Sequence, residues 1–177
     1  MRAPWAQAGE MLEQQPVAEF TIRPPEPCDI VGLAALFSEM QAHYNRPVPL
    51  PVAMAAAELA CRLRTHDFDP RVLLAVSDWG VAGSLVMNVV FPAFELTRAL
   101  HIRDLYVARA MRRAGLGRAL VKAAAKLAVR EGFSQLEWTT DSGNAAARKM
   151  YESCGASILD RTYYRLFEDS LRAAGAA

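Results

Sequence analysis

A chain of 177 residues, 53% of them apolar and 22% charged, is long enough to bury one substantial core and too apolar to be disordered or fibrous. Its net charge of +1 gives no whole-protein attraction to nucleic acid or to an anionic membrane, so neither partner is expected and any recognition of charge must be local. Cys28, Cys61 and Cys154 share no zinc-type spacing with His43, His66 or His101, which argues against a metal site. Each cysteine sits in an apolar stretch, where a free thiol behaves as a small buried hydrophobe, and a reducing cytoplasm fits best.

In chain order, residues 1–16 carry Glu10 and Glu13 within their apolar run and read as a flexible arm rather than a secretory signal. A single domain over 17–177 then opens with a strand at 17–23, where apolar and polar residues alternate. Pro24, Pro25 and Pro27 break it, and Ile30, Leu33, Ala34, Phe37 and Met40 recur at helical spacing. A proline-rich loop at 47–51 leads to a second helix that ends near His66, before a turn at Asp69-Pro70. Strands are expected at 72–77 and 82–91, joined by Asp78-Trp79-Gly80 as a hairpin, and again at 96–107. The strongest helix runs over 115–130 and stops at Gly132. A strand at 134–140, a helix at 144–154 stopped by Gly155 and a closing strand at 157–167 complete the order. No stretch approaches a membrane span. The alternation of elements predicts a mixed α/β sheet covered by helices.

The chemistry centres on LYVARAMRRAGLGRAL, residues 105–120, where a strand passes through a short loop into a helix. A helix start offers unpaired N–H groups and the positive end of a dipole, a ready site for phosphate. Gly115 and Gly117 lack a Cβ, so a ligand can approach the backbone, and Arg112, Arg113 and Arg118 add charge. The expected ligand is a pyrophosphate. A P-loop would need Lys and then Ser or Thr after the second glycine, where Arg118-Ala119 stands. A dinucleotide fingerprint would need a glycine at Leu120. Further down the helix, Arg118, Lys122, Lys126 and Arg130 form a stripe; the first two lie toward the phosphates, and the last two read as a solvated face.

The pattern R-x-x-G-x-G from Arg112 to Gly117 resembles the acetyl-CoA motif of the GNAT N-acetyltransferase superfamily, and DSGNAAARKMYESCGA at 141–156 resembles its second signature. The resemblance covers about residues 17–167. It implies a mixed, mostly antiparallel central sheet flanked by about four helices and splayed between the fourth and fifth strands. It also implies acetyl-CoA as cosubstrate, held by Leu105, Tyr106, Val107, Arg112, Arg113, Ala114, Gly115, Leu116, Gly117, Arg118, Asn144, Ala147 and Tyr151. A backbone N–H near the bulge, at Leu105, would hold the thioester oxygen, and the Tyr151 hydroxyl would protonate the departing thiolate. A phenol suits this task because its ordinary pKa of about 10 exceeds a thiol's of about 8.5. Asn144 also has the character of a helix N-cap, and Cys154 that of helix-end packing.

Within the superfamily, the closing segments look most like the diamine acetyltransferase branch. Two positions that are acidic in that branch are occupied by Arg103 and Arg161, which disfavours a polycation because like charges repel when desolvated. Arg103, Asp104 and Arg161 are the candidate substrate contacts, the arginines for a carboxylate, so an amino acid or related small amine is expected. Asp104, Glu95 and His101 are the candidate bases, and simple strand alternation places Asp104 and His101 on opposite faces. A non-catalytic acyl-CoA sensor, a vestigial scaffolding role and acetylation of a protein or peptide amine remain alternative readings. The final strand, with Tyr163-Tyr164, is a plausible homodimer contact.

Overall fold

Residues 72–75 and 81–85 are buried without alternation, the mark of strands covered on both faces. They form the centre of a five-stranded sheet in a computed structural model that describes residues 19–44, 51–62, 71–91, 93 and 96–176. The arm at 1–16, the start of the first strand, most of the 47–51 loop, the helix end near His66, the Asp69-Pro70 turn and Glu95 lie outside the described residues. The strands are β1 (Thr21–Arg23), β2 (Arg71–Ser77), β3 (Gly80–Val90), β4 (Ala99–Val107) and β5 (Gln135–Trp138), in spatial order of the chain. Neighbours are antiparallel except β4 and β5, which are parallel. Ser77 pairs with Gly80 across Asp78-Trp79, and Gly80 has φ +103°, a conformation that glycine adopts without strain.

Among the described residues five α-helices accompany the sheet, against about four expected: α1 (Ile30–His43), α2 (Val52–Arg62), α3 (Leu116–Arg130), α4 (Ala145–Glu152) and α5 (Glu168–Gly175). Leu116, Leu120, Val121, Ala124 and Ala128 of α3 pack on Leu73, Leu85, Met87, Leu100 and Ile102 of one sheet face. Leu33 and Leu36 of α1 pack on Val72, Leu74, Val81 and Tyr106 of the other. Gly115 precedes α3 at φ +79° and Gly132 follows it at φ +73°, as the sequence pattern requires.

The closing strand expected at 157–167 does not form. Those residues are exposed and belong to no strand, and α5 follows them. Alternating apolar residues make a strand only when a neighbour takes up the backbone hydrogen bonds, and residues 157–167 do not lie in the sheet beside β5. Cys28 is exposed, against the expected burial, because it lies in the short 3-10 turn Pro27–Asp29 before α1. The side chain of Cys61 lies outside the described residues.

That turn ties β1 to α1. Arg23 donates to both oxygens of Asp29 at 2.6 and 3.1 Å, and the Glu26 N–H donates to it at 2.7 Å. Burial pushes the Asp29 carboxyl up, but these hydrogen bonds and the charge of Arg23 outweigh it and hold the pKa below its ordinary value. A lowered folded pKa stabilises above the unfolded value, and that stability is lost as pH falls through the folded one. Asp29→Asn should therefore lower stability by about 1–3 kcal/mol at pH 6, with the gap in Tm closing below about pH 4. Thermal melts across pH 2–7 would read it, and a pH-independent gap would refute the ion pair as its source.

Candidate active site

The site starts from a fault in the sheet. Met87 pairs with Ile102 and Val86 with Asp104, which leaves Arg103 as an extra residue on β4, a bulge. Ile102 and Leu105 consequently both pack on the α3 side. Paired side chains share a face, so Asp104 lies with Val86 on the α1 side, and His101, which pairs with Asn88 next to Met87, lies on that side too. Simple alternation is overturned: the inserted residue returns Asp104 to the face of His101.

β5 pairs with β4 only from Ala99 to Ile102, so β4 continues to Val107 with no strand beside it on that side among the described residues. The Ala108 N–H donates to Ala82 O at 2.9 Å. Backbone groups along an antiparallel strand point alternately to its two sides, so those of Tyr106 face β3 and those of Leu105 and Val107 face the open side. Tyr106 is otherwise placed than Leu105 and Val107 in its side chain as well. It is buried on the α1 face and donates to Glu39 Oε1 at 2.9 Å. Burial first, and then this bond, push its pKa up to about 12. The Arg109 N–H reaches the same oxygen at 2.7 Å, so Glu39 pins the loop after β4 to α1.

In that loop Arg113 (φ 70°) and Gly115 (φ 79°) are both left-handed. For arginine this conformation costs on the order of 1 kcal/mol, a strain found where a loop is shaped for function. The first N–H to close a bond at the head of α3 is that of Ala119, onto Gly115 O at 3.0 Å. The N–H groups of Leu116, Gly117 and Arg118 precede it and point out of the helix end. A Cβ on Gly115 would meet nothing within 4 Å, and one on Gly117 would lie 3.6 Å from Met150 Cε of α4, so the two helices meet closely beside an open approach to the backbone. Ala114, Arg113 and Arg118 are exposed around it, as are Lys122, Lys126 and Arg130 along α3. Arg112 turns back instead. Its Nε donates to Val107 O at 3.2 Å and its guanidinium lies 5.2 Å from the Tyr106 ring centroid.

α4 lies against the start of α3 and the end of β5. Asn144 caps it, its side chain accepting from the Ala147 N–H at 3.2 Å, which is the cap that its sequence position suggested. Tyr151 is half-buried, with its ring centroid 5.1 Å from that of Trp138 on β5. Burial above all, then the phenol of Tyr44 and the thiol of Cys154, push its pKa up, so it keeps its proton at neutrality. Cys154 Sγ lies 4.0 Å from Met150 Sδ, a packing position. On the α1 side, His101 Nδ1 is 3.6 Å from Glu137 Oε1 of β5, the residue it pairs with. Arg103 is exposed at the bulge, and Arg161 is exposed beyond α4, outside any element.

Leu105, Val107, Trp138, Met150 and Tyr151 thus pack against one core cluster, Gly117 of the loop before α3 lies against Met150, and Asp104 and His101 lie on the other face of β4. Sequence reasoning missed Glu137, Glu39, Trp138 and Tyr44. Strand alternation alone separates Glu137 from Leu136 and Trp138, but only the β4–β5 register sets it against His101.

A five-stranded sheet that parts beside an open helix start is a GNAT-like fold. It overlays an integron cassette protein from the mobile metagenome of V. cholerae with a TM-score of 0.79, at 26% identity over 89% of this chain and 98% of that one. The model of the acetyltransferase (GNAT) family matches residues 33–156, and the chain belongs to that family. An L-ornithine N5-acetyltransferase of Arabidopsis thaliana is 32% identical over 99 residues, 55% of this chain but only 43% of that relative's length. An uncharacterized N-acetyltransferase of Bacillus subtilis, YhfO, is 28% identical over 76% of this chain and 87% of its own. Among the described residues no helix is long and apolar enough to cross a membrane.

Proposed function

We propose that the chain uses acetyl-CoA to acetylate the primary amine of a small molecule that also bears a carboxylate, acting in the cytoplasm as a homodimer. The observation that carries this reading is the parted edge of β4, where the Leu105 backbone groups and the Val107 N–H face the side that β5 leaves uncovered, just ahead of the free helix start. Those groups suit the amide-bearing pantetheine arm as an added strand, and the Leu116, Gly117 and Arg118 N–H groups suit the pyrophosphate. The neutral amine attacks the thioester carbon, forming the N–C bond as the C–S bond breaks. The Leu105 N–H stabilises the oxygen's charge, and Tyr151 delivers its proton to the thiolate. The amine's own proton leaves toward the face that carries Asp104 and His101, the latter 3.6 Å from Glu137.

Arg103, exposed beside that face, supports a carboxylate-bearing acceptor, and a relative named for acetylating ornithine is consistent with it. Arg161 is the second cation offered to such an acceptor. The reading is tested by acetyl-CoA turnover, followed as free thiol, over a panel of amino acids with side-chain amines, plain diamines, aminoglycosides and peptides. Arg103→Ala should raise KM for the amino-acid amine about 10- to 100-fold, the worth of one charge-assisted contact, and leave a plain diamine unaffected. Spermidine turned over as efficiently as any amino-acid amine would defeat the carboxylate reading. Tight acetyl-CoA binding with no turnover of any amine would favour an acyl-CoA sensor.

A further inference from the structure

Glu39 takes no part in the chemistry described above, although it holds the strand and the loop on which that chemistry depends. It stands near the end of α1, half-buried, and its Oε1 accepts from the Tyr106 hydroxyl at 2.9 Å and from the Arg109 N–H at 2.7 Å. Its Oε2 is buried and has no hydrogen-bond partner among the described residues. A carboxylate withdrawn from water with one oxygen unanswered is a poor source of stability, so its effect on the molecule lies in the geometry that the other oxygen sets.

β4 ends at Val107, and the helical turn Arg109–Met111 leads from it toward the loop before α3. The first N–H groups of such a turn have no partner within it, and Ala108, which stands at its cap, has no side chain that could supply one. Glu39, 70 residues earlier, caps the turn in its place. The same oxygen fixes the Tyr106 hydroxyl, and the Tyr106 ring carries the Arg112 guanidinium at 5.2 Å, while Arg112 Nε donates to Val107 O at 3.2 Å. The strand end, the turn and the arginine that opens the R-x-x-G-x-G loop are thus tied to one carboxylate of α1.

The path between β4 and α3 matters because acetyl-CoA is held at both of its ends, the thioester by the Leu105 N–H and the pyrophosphate by the N–H groups of Leu116, Gly117 and Arg118. A shift of about 1 Å between the two takes the thioester off its donor, and misplacement of that size lowers a rate about 100-fold. We propose that Glu39 is a positioning residue for acetyl transfer: by holding the Arg109 N–H and the Tyr106 hydroxyl on one oxygen, it fixes the end of β4 relative to the loop before α3, so that thioester and pyrophosphate are bound in one register. The role rests on the acetyl-CoA reading of that edge and loop. Glu39 acts through the strand and the turn and touches neither substrate.

The test compares Glu39→Leu and Glu39→Gln with the native chain, by calorimetric binding of acetyl-CoA and by free-thiol release with the best amine of the panel above. Glu39→Leu should weaken acetyl-CoA binding about 10-fold and lower kcat/KM for acetyl-CoA about 100-fold, with the amine's KM within about twofold of native. Glu39→Gln, whose amide oxygen accepts the same two donors, should stay within about threefold. Gly132→Val, strained at φ +73° beyond the far end of α3, is the control for lost stability and should keep native constants although its Tm falls. If Glu39→Leu does not fold, Tyr106→Phe removes one of the two donors, keeps the ring and should lower kcat/KM for acetyl-CoA at least about threefold; if no amine is turned over, binding alone decides. Native acetyl-CoA constants in the variant that folds, losses matched by Gly132→Val, Glu39→Gln as impaired as Glu39→Leu, or a change confined to the amine's KM would each overturn the positioning role and leave the acetyl-CoA reading standing. A native chain that binds no acetyl-CoA would overturn that reading and this role together.

Discussion

Tyr151→Phe is expected to lower kcat about 100- to 10,000-fold, the range contributed by a positioned general acid, while acetyl-CoA still binds. The substitution removes one oxygen and keeps the ring, whose centroid stays 5.1 Å from that of Trp138, so the packing that holds α4 against β5 survives. What is lost is a proton donor held ready by burial, which pushes the pKa above that of an ordinary phenol. The sign of the pH dependence follows. The wild-type phenol is protonated from acid through neutral pH, and kcat should fall only at alkaline pH beyond the range of an ordinary phenol. The Phe variant should lack that alkaline fall, and both should share the rise at lower pH that reports deprotonation of the amine. Free-thiol release with calorimetric binding of acetyl-CoA would check it. A variant within about twofold of wild type would move the acid role to water or to another group.

Gly115→Val should raise KM for acetyl-CoA at least about 10-fold and also lower stability by about 1–3 kcal/mol, or roughly 3–10 °C in Tm for a chain of this size. Two effects are present because the residue has two roles. At φ +79° a β-branched residue is strained, while the new Cβ meets no atom within 4 Å and instead enters the space in front of the helix N–H groups. Gly132→Val separates them. It lies at φ +73° beyond the other end of α3, again with nothing within 4 Å, and should lower Tm comparably with KM unchanged. Equal KM values for both variants would mean that the loop before α3 does not hold the donor's phosphates.

Those two glycines show why so much of the site was legible. A helix with an apolar stripe and glycine at both ends is specified by local sterics, and α3 forms where expected with its boundaries shifted by at most one residue. The hairpin at Asp78-Trp79 and the cap at Asn144 are local in the same sense. The facing of Asp104 and the fate of residues 157–167 were not legible, since each depends on a partner distant in sequence, and the setting of Arg112 was not because it depends on how the loop folds back on the end of β4. The bulge exists only relative to β3, where Asp104 meets Val86 and Ile102 meets Met87. Arg112 turns back because the carbonyl of Val107 and the ring of Tyr106 present themselves there. Cys28 escapes burial because a turn, not its apolar neighbours, governs its exposure.

The sequence by itself determined the α/β layering, the phosphate-type loop between a strand and a helix, and the family that those motifs identify. These follow from period, glycine placement and charge within a few residues of one another. The tertiary structure alone decided which side chains share the acceptor face, which backbone groups of β4 remain open and which strand ends the sheet. Those are properties of register and pairing, in which a shift of one residue exchanges the faces and a hydrogen-bonding neighbour must be supplied from elsewhere in the fold.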